Sequence, residues 1–191
     1  MTLSRCVVDL CDSELKGKRV LVRCNFDVPL DENQNIMDDT RIRLALPTIS
    51  YLATRGCMVT ACSVYGQPRS EPQVRFSMER IASRLGNLLG QDVPQCNGQD
   101  IFNRLRKANL GDVSLLDTRE LQKEMLVDQS SMEKQLAAHF DIFVDDSTED
   151  ESLGRTGEHL RPSVCGFLLA KEQWRRAHGS VSGWIQGFET I

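Results

Sequence analysis

Arg19-Val-Leu-Val-Arg-Cys24 is a six-residue run with an apolar middle and no helical spacing. It reads as a buried strand. After an intervening polar stretch, residues 40–53 place Ile42, Ala45, Leu46, Ile49, Leu52 and Ala53 on one helical stripe, and Gly56 ends it. Pro47 inside that stripe predicts a kink or a late start. Met58-Val-Thr-Ala-Cys62 then reads as a second strand. A strand, a helix and a strand in under 50 residues form a βαβ unit with parallel strands.

The same alternation continues outward. Ser77 is placed to cap a helix running to Leu89, with Ile81, Leu85, Leu88 and Leu89 as its stripe and Gly90 as its stop. A short strand is expected at Val93, a helix over residues 101–108 and a strand at Val113-Ser-Leu-Leu116. Ser130-Ser-Met-Glu133 fits a capping box opening a helix to His139. Ile142-Phe-Val144 is a further strand, and residues 168–177 read as a final helix. The expected fold is a single three-layer, Rossmann-like α/β domain with a mostly parallel sheet. In such sheets ligands sit beyond the carboxyl ends of the strands. The loops after Arg23, Cys62, Leu116 and Val144 are therefore the ones to inspect.

Composition bounds the function. The 191 residues are 40% hydrophobic and 26% charged, ordinary values for a globular domain and too apolar for wholesale disorder. A net charge of -4 does not suggest a nucleic-acid binder. No apolar run approaches the roughly 20 residues that span a bilayer. Asp9, Asp12 and Glu14 interrupt any signal-peptide core, so a cytoplasmic or other reducing intracellular location is expected. The seven cysteines show no C-x-x-C pair and read as buried, reduced thiols. His139, His159 and His178 do not cluster with them, so no metal site is expected.

The strand-end segments carry a more specific signal. They are Arg23-Cys-Asn-Phe-Asp-Val-Pro-Leu30, Asp38-Asp-Thr-Arg-Ile-Arg43, Ser63-Val-Tyr-Gly-Gln-Pro68 and Leu116-Asp-Thr-Arg119. Together with Lys16-Gly-Lys-Arg-Val20, Ala45-Leu-Pro-Thr-Ile49 and Glu158-His-Leu-Arg-Pro-Ser-Val-Cys-Gly-Phe-Leu-Leu-Ala-Lys-Glu172, they resemble the N-terminal domain of phosphoglycerate kinases over residues 5–173. The resemblance implies residues 1–173 as that domain and residues 174–191 as a tail in place of the hinge and nucleotide domain. In the family the first domain binds 3-phosphoglycerate on a basic patch and the second binds the magnesium nucleotide. Hinge closure then brings the two phosphates together.

Against that pattern, Arg41 and Arg119 match two substrate arginines. Asn25 and Asp27 occupy a paired position in reversed order, Asp-Phe-Asn having become Asn-Phe-Asp. The family's Ser-His-Leu-Gly-Arg-Pro has become Ser63-Val-Tyr-Gly-Gln-Pro68, so its His is Val64 and its Arg is Gln67. A basic His-Arg-x-His loop is replaced by Asp145-Asp-Ser-Thr-Glu-Asp-Glu151, read as an acidic loop. Nothing resembles the family's Gly-Gly-Ala-Lys nucleotide segment, so neither ATP nor another cofactor is expected.

These departures lead to three expectations. The first is a pseudoenzyme kept as a structural or protein-interaction subunit of a larger assembly, with no catalytic residue. Its contact candidates are Asp145, Asp146, Glu149, Asp150, Glu151, Trp174 and Trp184. The second is residual binding of 3-phosphoglycerate or another anion through Asn25, Asp27, Arg41 and Arg119. The third is half of a split enzyme whose nucleotide domain lies on another chain.

Overall fold

The structure, a computed structural model, describes residues 5–63, 78–97, 100–117, 139–146 and 167–170. The elements follow in chain order. β1 is Arg5–Cys6, followed by a 3-10 turn at Val7–Asp9, α1 is Asp12–Leu15 and β2 is Arg19–Cys24. α2 is Thr40–Thr54, β3 is Met58–Ser63, α3 is Met78–Leu89 and β4 is Gln95–Asn97. α4 is Asp100–Lys107, β5 is Val113–Asp117, β6 is Ile142–Asp146 and β7 is Phe167–Ala170.

The strands form one sheet in the order β1-β7-β6-β2-β3-β5-β4. The five from β6 to β4 are parallel, while β7 pairs antiparallel with β6 and β1 antiparallel with β7. The expected α/β architecture is therefore present, with an antiparallel margin added to a parallel centre.

Register explains the core. Side chains of partnered residues share a sheet face. Val20 partners Val59 and Ile142, and Val59 partners Val113. Two residues on, Val22 partners Ala61 and Val144, and Ala61 partners Leu115. All of these are buried in one cluster with Ile42, Ala45, Ile49 and Leu52 of α2 and Ile81, Ala82 and Leu85 of α3. On the opposite face Leu21, Thr60, Cys62, Leu116 and Phe143 are buried too. Burial on both faces is why these strands read as continuous apolar runs and not as alternating ones.

Helix ends follow their residues. At the end of α2 the N–H of Cys57 donates to the Leu52 carbonyl (3.1 Å) and that of Gly56 to Ala53 (2.9 Å), with Gly56 at φ +76°. This is a Schellman closure, and it needs the left-handed conformation that glycine adopts without steric cost.

Three expectations are corrected. The late start offered as one outcome of Pro47 is not seen, since α2 begins at Thr40 and continues past the proline, with its apolar stripe buried on both sides of it. The fourth strand lies at Gln95–Asn97, just after the buried Val93. The final helix expected over residues 168–177 is not formed at its start, where Phe167–Ala170 pairs with β6 as a strand. A four-residue apolar run carries no period that separates helix from strand, and here a distant partner strand decides. The helix expected from Ser130 lies outside the described residues up to His139, and so does the Ser77 cap.

Candidate functional site

The carboxyl ends of the parallel strands line up in register. Cys24 partners Ser63 on one side and Asp146 on the other, Ser63 partners Asp117, and Asp117 partners Asn97. The row Asp146, Cys24, Ser63, Asp117, Asn97 thus crosses the sheet at the edge where α/β domains take ligands.

The chain leaving β2 is pinned to this edge. Phe26 and Val28 are buried, while Asn25 is half-buried and Asp27 is exposed. The alternation is that of an extended segment with two apolar anchors. The Phe26 N–H donates to Ser63 Oγ (3.1 Å), which ties the segment to the end of β3. Asn25 and Asp27 are left on the outward side. Asn25 Oδ1 accepts the Asp27 N–H (3.0 Å), an Asx turn, and also accepts Arg41 Nη1 (3.2 Å). Arg41 Nη1 lies 3.5 Å from Asp27 Oδ2, with the two side chains 29% and 65% exposed.

Arg41 stands in the first turn of α2, and neighbouring groups hold that turn in place. The Asp39 carboxylate accepts Nε of Arg43 (2.8 Å) and Nε of Arg84 in α3 (2.8 Å). These bonds from Arg43 and Arg84 hold the Asp39 carboxyl below its ordinary value of 3.8. Asp38 accepts the Thr40 hydroxyl and its N–H, which lowers its carboxyl as well. Upstream, Asp31 accepts the N–H groups of Asn33 (2.9 Å) and Asn35 (2.7 Å), and Arg80 of α3 donates to Asn35 Oδ1 (2.8 Å). Two arginines of α3 thus clamp the loop that leads into Arg41.

Three of the sequence-derived positions, Asn25, Asp27 and Arg41, come together as one cluster. Arg119, Val64, Gln67, Glu149, Asp150, Glu151, Trp174 and Trp184 lie outside the described residues. Asp145 and Asp146 correct the reading of their segment as a loop, since both belong to β6 and pair with Arg23 and Cys24. A backbone ladder extends as far as its partner strand does, whatever the side-chain charge, and β2 reaches Cys24.

Sequence reasoning missed the Ser63 anchor and the Arg84–Asp39 link. A hydroxyl residue at a strand end was the one available sign of the first. The second joins residues 45 positions apart and has no local signature. The cysteine expectation is corrected at Cys11, which is exposed, while Cys24, Cys57, Cys62 and Cys96 are buried. Among the described residues no three of His, Cys, Asp or Glu are grouped to hold a metal ion. No described helix is long and apolar enough to cross a membrane.

Comparison with known proteins places the chain. The sequence model of the phosphoglycerate kinase family matches residues 10–177. A phosphoglycerate kinase of Gloeothece citriformis is 38% identical over 174 residues, which cover 87% of this chain and 43% of that protein. One of Borrelia turicatae is 40% identical over 169 residues, covering 84% and 43%. Among solved structures, phosphoglycerate kinase from Coxiella burnetii superposes with a TM-score of 0.60 at 27% identity, covering 76% of this chain and 36% of that one. The enzyme from Pyrococcus horikoshii OT3 gives 0.62 at 25% identity, covering 74% and 36%. The chain spans about two fifths of the length of the relatives it matches.

Proposed function

The chain belongs to the phosphoglycerate kinase family, and we propose that it acts as a non-catalytic member, a structural or protein-interaction subunit of a larger assembly. The observation that carries this reading is the state of Arg41. Its guanidinium meets two groups of its own chain, the Asn25 amide oxygen at 3.2 Å and the Asp27 carboxylate at 3.5 Å. A phosphate or carboxylate arriving at Arg41 meets the negative charge of Asp27 beside it.

The other departures from the family pattern act in the same direction. Val64 and Gln67 stand where the resemblance places a histidine and an arginine, and neither brings a positive charge. The family's basic His-Arg-x-His loop gives way to an acidic run. Each charge-assisted bond lost weakens binding by about 1.5–3 kcal/mol. Three such losses reduce affinity by roughly three to six powers of ten, allowing for poor additivity. The apolar scaffold, by contrast, is kept throughout the core. Erosion of the chemistry with retention of the shape is what a scaffolding role leaves behind. The proposed contacts with partners are the acidic run through Glu149, Asp150 and Glu151, and the aromatic side chains of Trp174 and Trp184. The buried thiols Cys24, Cys57, Cys62 and Cys96 support a reducing intracellular setting.

The test is a phosphoglycerate kinase assay of the purified chain together with calorimetric titration by 3-phosphoglycerate. Neither turnover nor saturation through the millimolar range is expected. Turnover, or micromolar binding that Arg41→Gln removes, would overturn the reading.

One observation favours residual anion binding as a second reading. Asp27 is 65% exposed, so its pair with Arg41 can open toward solvent. On that reading 3-phosphoglycerate or a similar anion still binds weakly through Arg41 and Arg119. Charge reversal of both arginines would then abolish a binding signal that the unaltered chain shows.

A further inference from the structure

We infer that the amino edge of the sheet, at the other end of the strands from the Arg41 cluster, is a docking surface for an acidic segment of a partner protein. Lys16, Arg106 and Lys107 meet its carboxylates and Leu110 meets an apolar side chain beside them. The inference rests on the protein-interaction reading given under the proposed function and names a surface and the chemistry of its partner.

Topology gathers these residues. β2, β3 and β5 are parallel and start side by side, Arg19 partnering Met58 and Val59 partnering Val113. Lys16 lies just before β2 and Leu110 just before β5. α4 connects the parallel strands β4 and β5, so it runs back across the sheet. Its last turn, with Arg104, Arg106 and Lys107, therefore reaches the same edge. Backbone bonds tie that edge together: the N–H of Gly17 donates to the Gly56 carbonyl (2.9 Å) and that of Gly111 to the Cys57 carbonyl (3.1 Å). A Cβ added at Gly56 would lie 3.5 Å from Lys16 Cγ and 3.8 Å from Leu110 Cβ. Lys16 and Leu110 thus both border the bare backbone of Gly56.

Charge and exposure give the edge its character. Arg19, Arg43, Arg55 and Arg84 each have a carboxylate partner. The exposed side chains of Lys16, Arg106 and Lys107 have none among the described residues. The carboxylates at this edge are already engaged, Asp12 with Arg55 (3.1 Å), Asp141 with Arg19 (3.3 Å) and Asp112 with the Asn109 N–H (2.7 Å). Leu110 is 57% exposed. Its turn is closed by the Asp112 N–H on the Asn109 carbonyl (3.1 Å), so the exposure is built into the fold. An exposed leucine bordered by unpaired cations suits a ligand that offers carboxylates and an apolar group together. A nucleic-acid backbone matches the charge and offers the leucine nothing.

The experiment titrates the full chain into a fluorescein-labelled peptide of Glu-Glu-Leu repeats at low ionic strength. Binding is read by fluorescence anisotropy, with far-ultraviolet circular dichroism to confirm folding of each variant. Arg106→Gln/Lys107→Gln and Leu110→Ser are each expected to weaken binding at least about fivefold. Met37→Glu/Ser83→Glu lowers the net charge as much as the first of these, at exposed positions away from this edge, and is expected to bind as the unaltered chain does. A peptide that does not bind, equal weakening by the Met37/Ser83 variant, or full binding by Leu110→Ser would overturn the inference. So would an oligothymidylate that binds more tightly than the peptide through Arg106 and Lys107. Each of these results leaves the proposed function standing, whereas turnover in the kinase assay would overturn that reading.

Discussion

Asp141 shows how much one carboxylate can carry at the edge of this sheet. It stands at the entry to β6, and its Oδ2 accepts both the backbone N–H of Arg19 (3.0 Å) and Nε of the same residue (3.3 Å). Burial raises its carboxyl, but the two bonds from Arg19 and the charges of Arg19 and Lys18 outweigh it, so the carboxyl lies below 3.8. Asp141→Asn is expected to lower stability by about 1 kcal/mol, after allowance for partial exposure, as read by urea denaturation. Asp31, Asp38 and Asp39 are lowered as well, each by bonds to neighbouring donors. A folded-state value below the unfolded one gives stability that is present above 3.8 and lost as pH falls through the folded value. The acid limb of a thermal-melting profile is therefore expected to fall below about pH 3.8, and less steeply for Asp141→Asn.

Cysteine reactivity divides at the same scale. Burial pushes the Cys57 thiol up to about 11, against the opposing charge of Arg55, and its Sγ donates to the Leu15 carbonyl (3.2 Å). Cys11 is exposed. A maleimide at neutral pH is expected to modify Cys11 rapidly, with Cys57 protected until the chain unfolds. Comparable rates at the two sites would show that the packing around Cys57 is not as described.

At the scale of elements, α3 ends on a close approach that only glycine permits. The Gly86 carbonyl accepts the N–H of Gly90 (2.8 Å) and of Gln91 (3.2 Å), and a Cβ added at Gly86 would lie 2.8 Å from the Gln91 carbonyl oxygen. That neighbour is backbone and cannot swing aside. Gly86→Ala is expected to destabilise by about 1–3 kcal/mol despite its better helix propensity. Pro47 presents the opposite case. It lies inside α2, supplies no N–H and is retained because Ile42, Ala45, Ile49 and Leu52 are buried on either side of it. Pro47→Ala is expected to raise stability by about 1 kcal/mol, the regained helical bond being partly offset by a more flexible unfolded chain.

These elements also mark what a sequence can disclose. The strands at Arg19, Met58, Val113 and Ile142 were legible because burial on both faces leaves unbroken apolar runs. Asn25, Asp27 and Arg41 were legible because they fall on motifs that resemble the phosphoglycerate kinase family's, at a strand end and at the start of the next helix. β7 was not, since pairing between Phe167 and Asp145 is invisible in either segment alone. The Arg84–Asp39 clamp was hidden for the same reason: two helices far apart in sequence meet only after folding.

For the whole molecule, the parallel centre is that of the phosphoglycerate kinase family, and side chains at its strand ends bond to one another. The proposed scaffolding role would be exercised through partners. The native size of the endogenous chain is therefore the most direct measurement, by gradient sedimentation of a gentle lysate with mass spectrometry of the fraction that holds it. Co-migration with a large particle of defined composition is the predicted result. Sedimentation as a lone species near 21.5 kDa would contradict the assignment to an assembly.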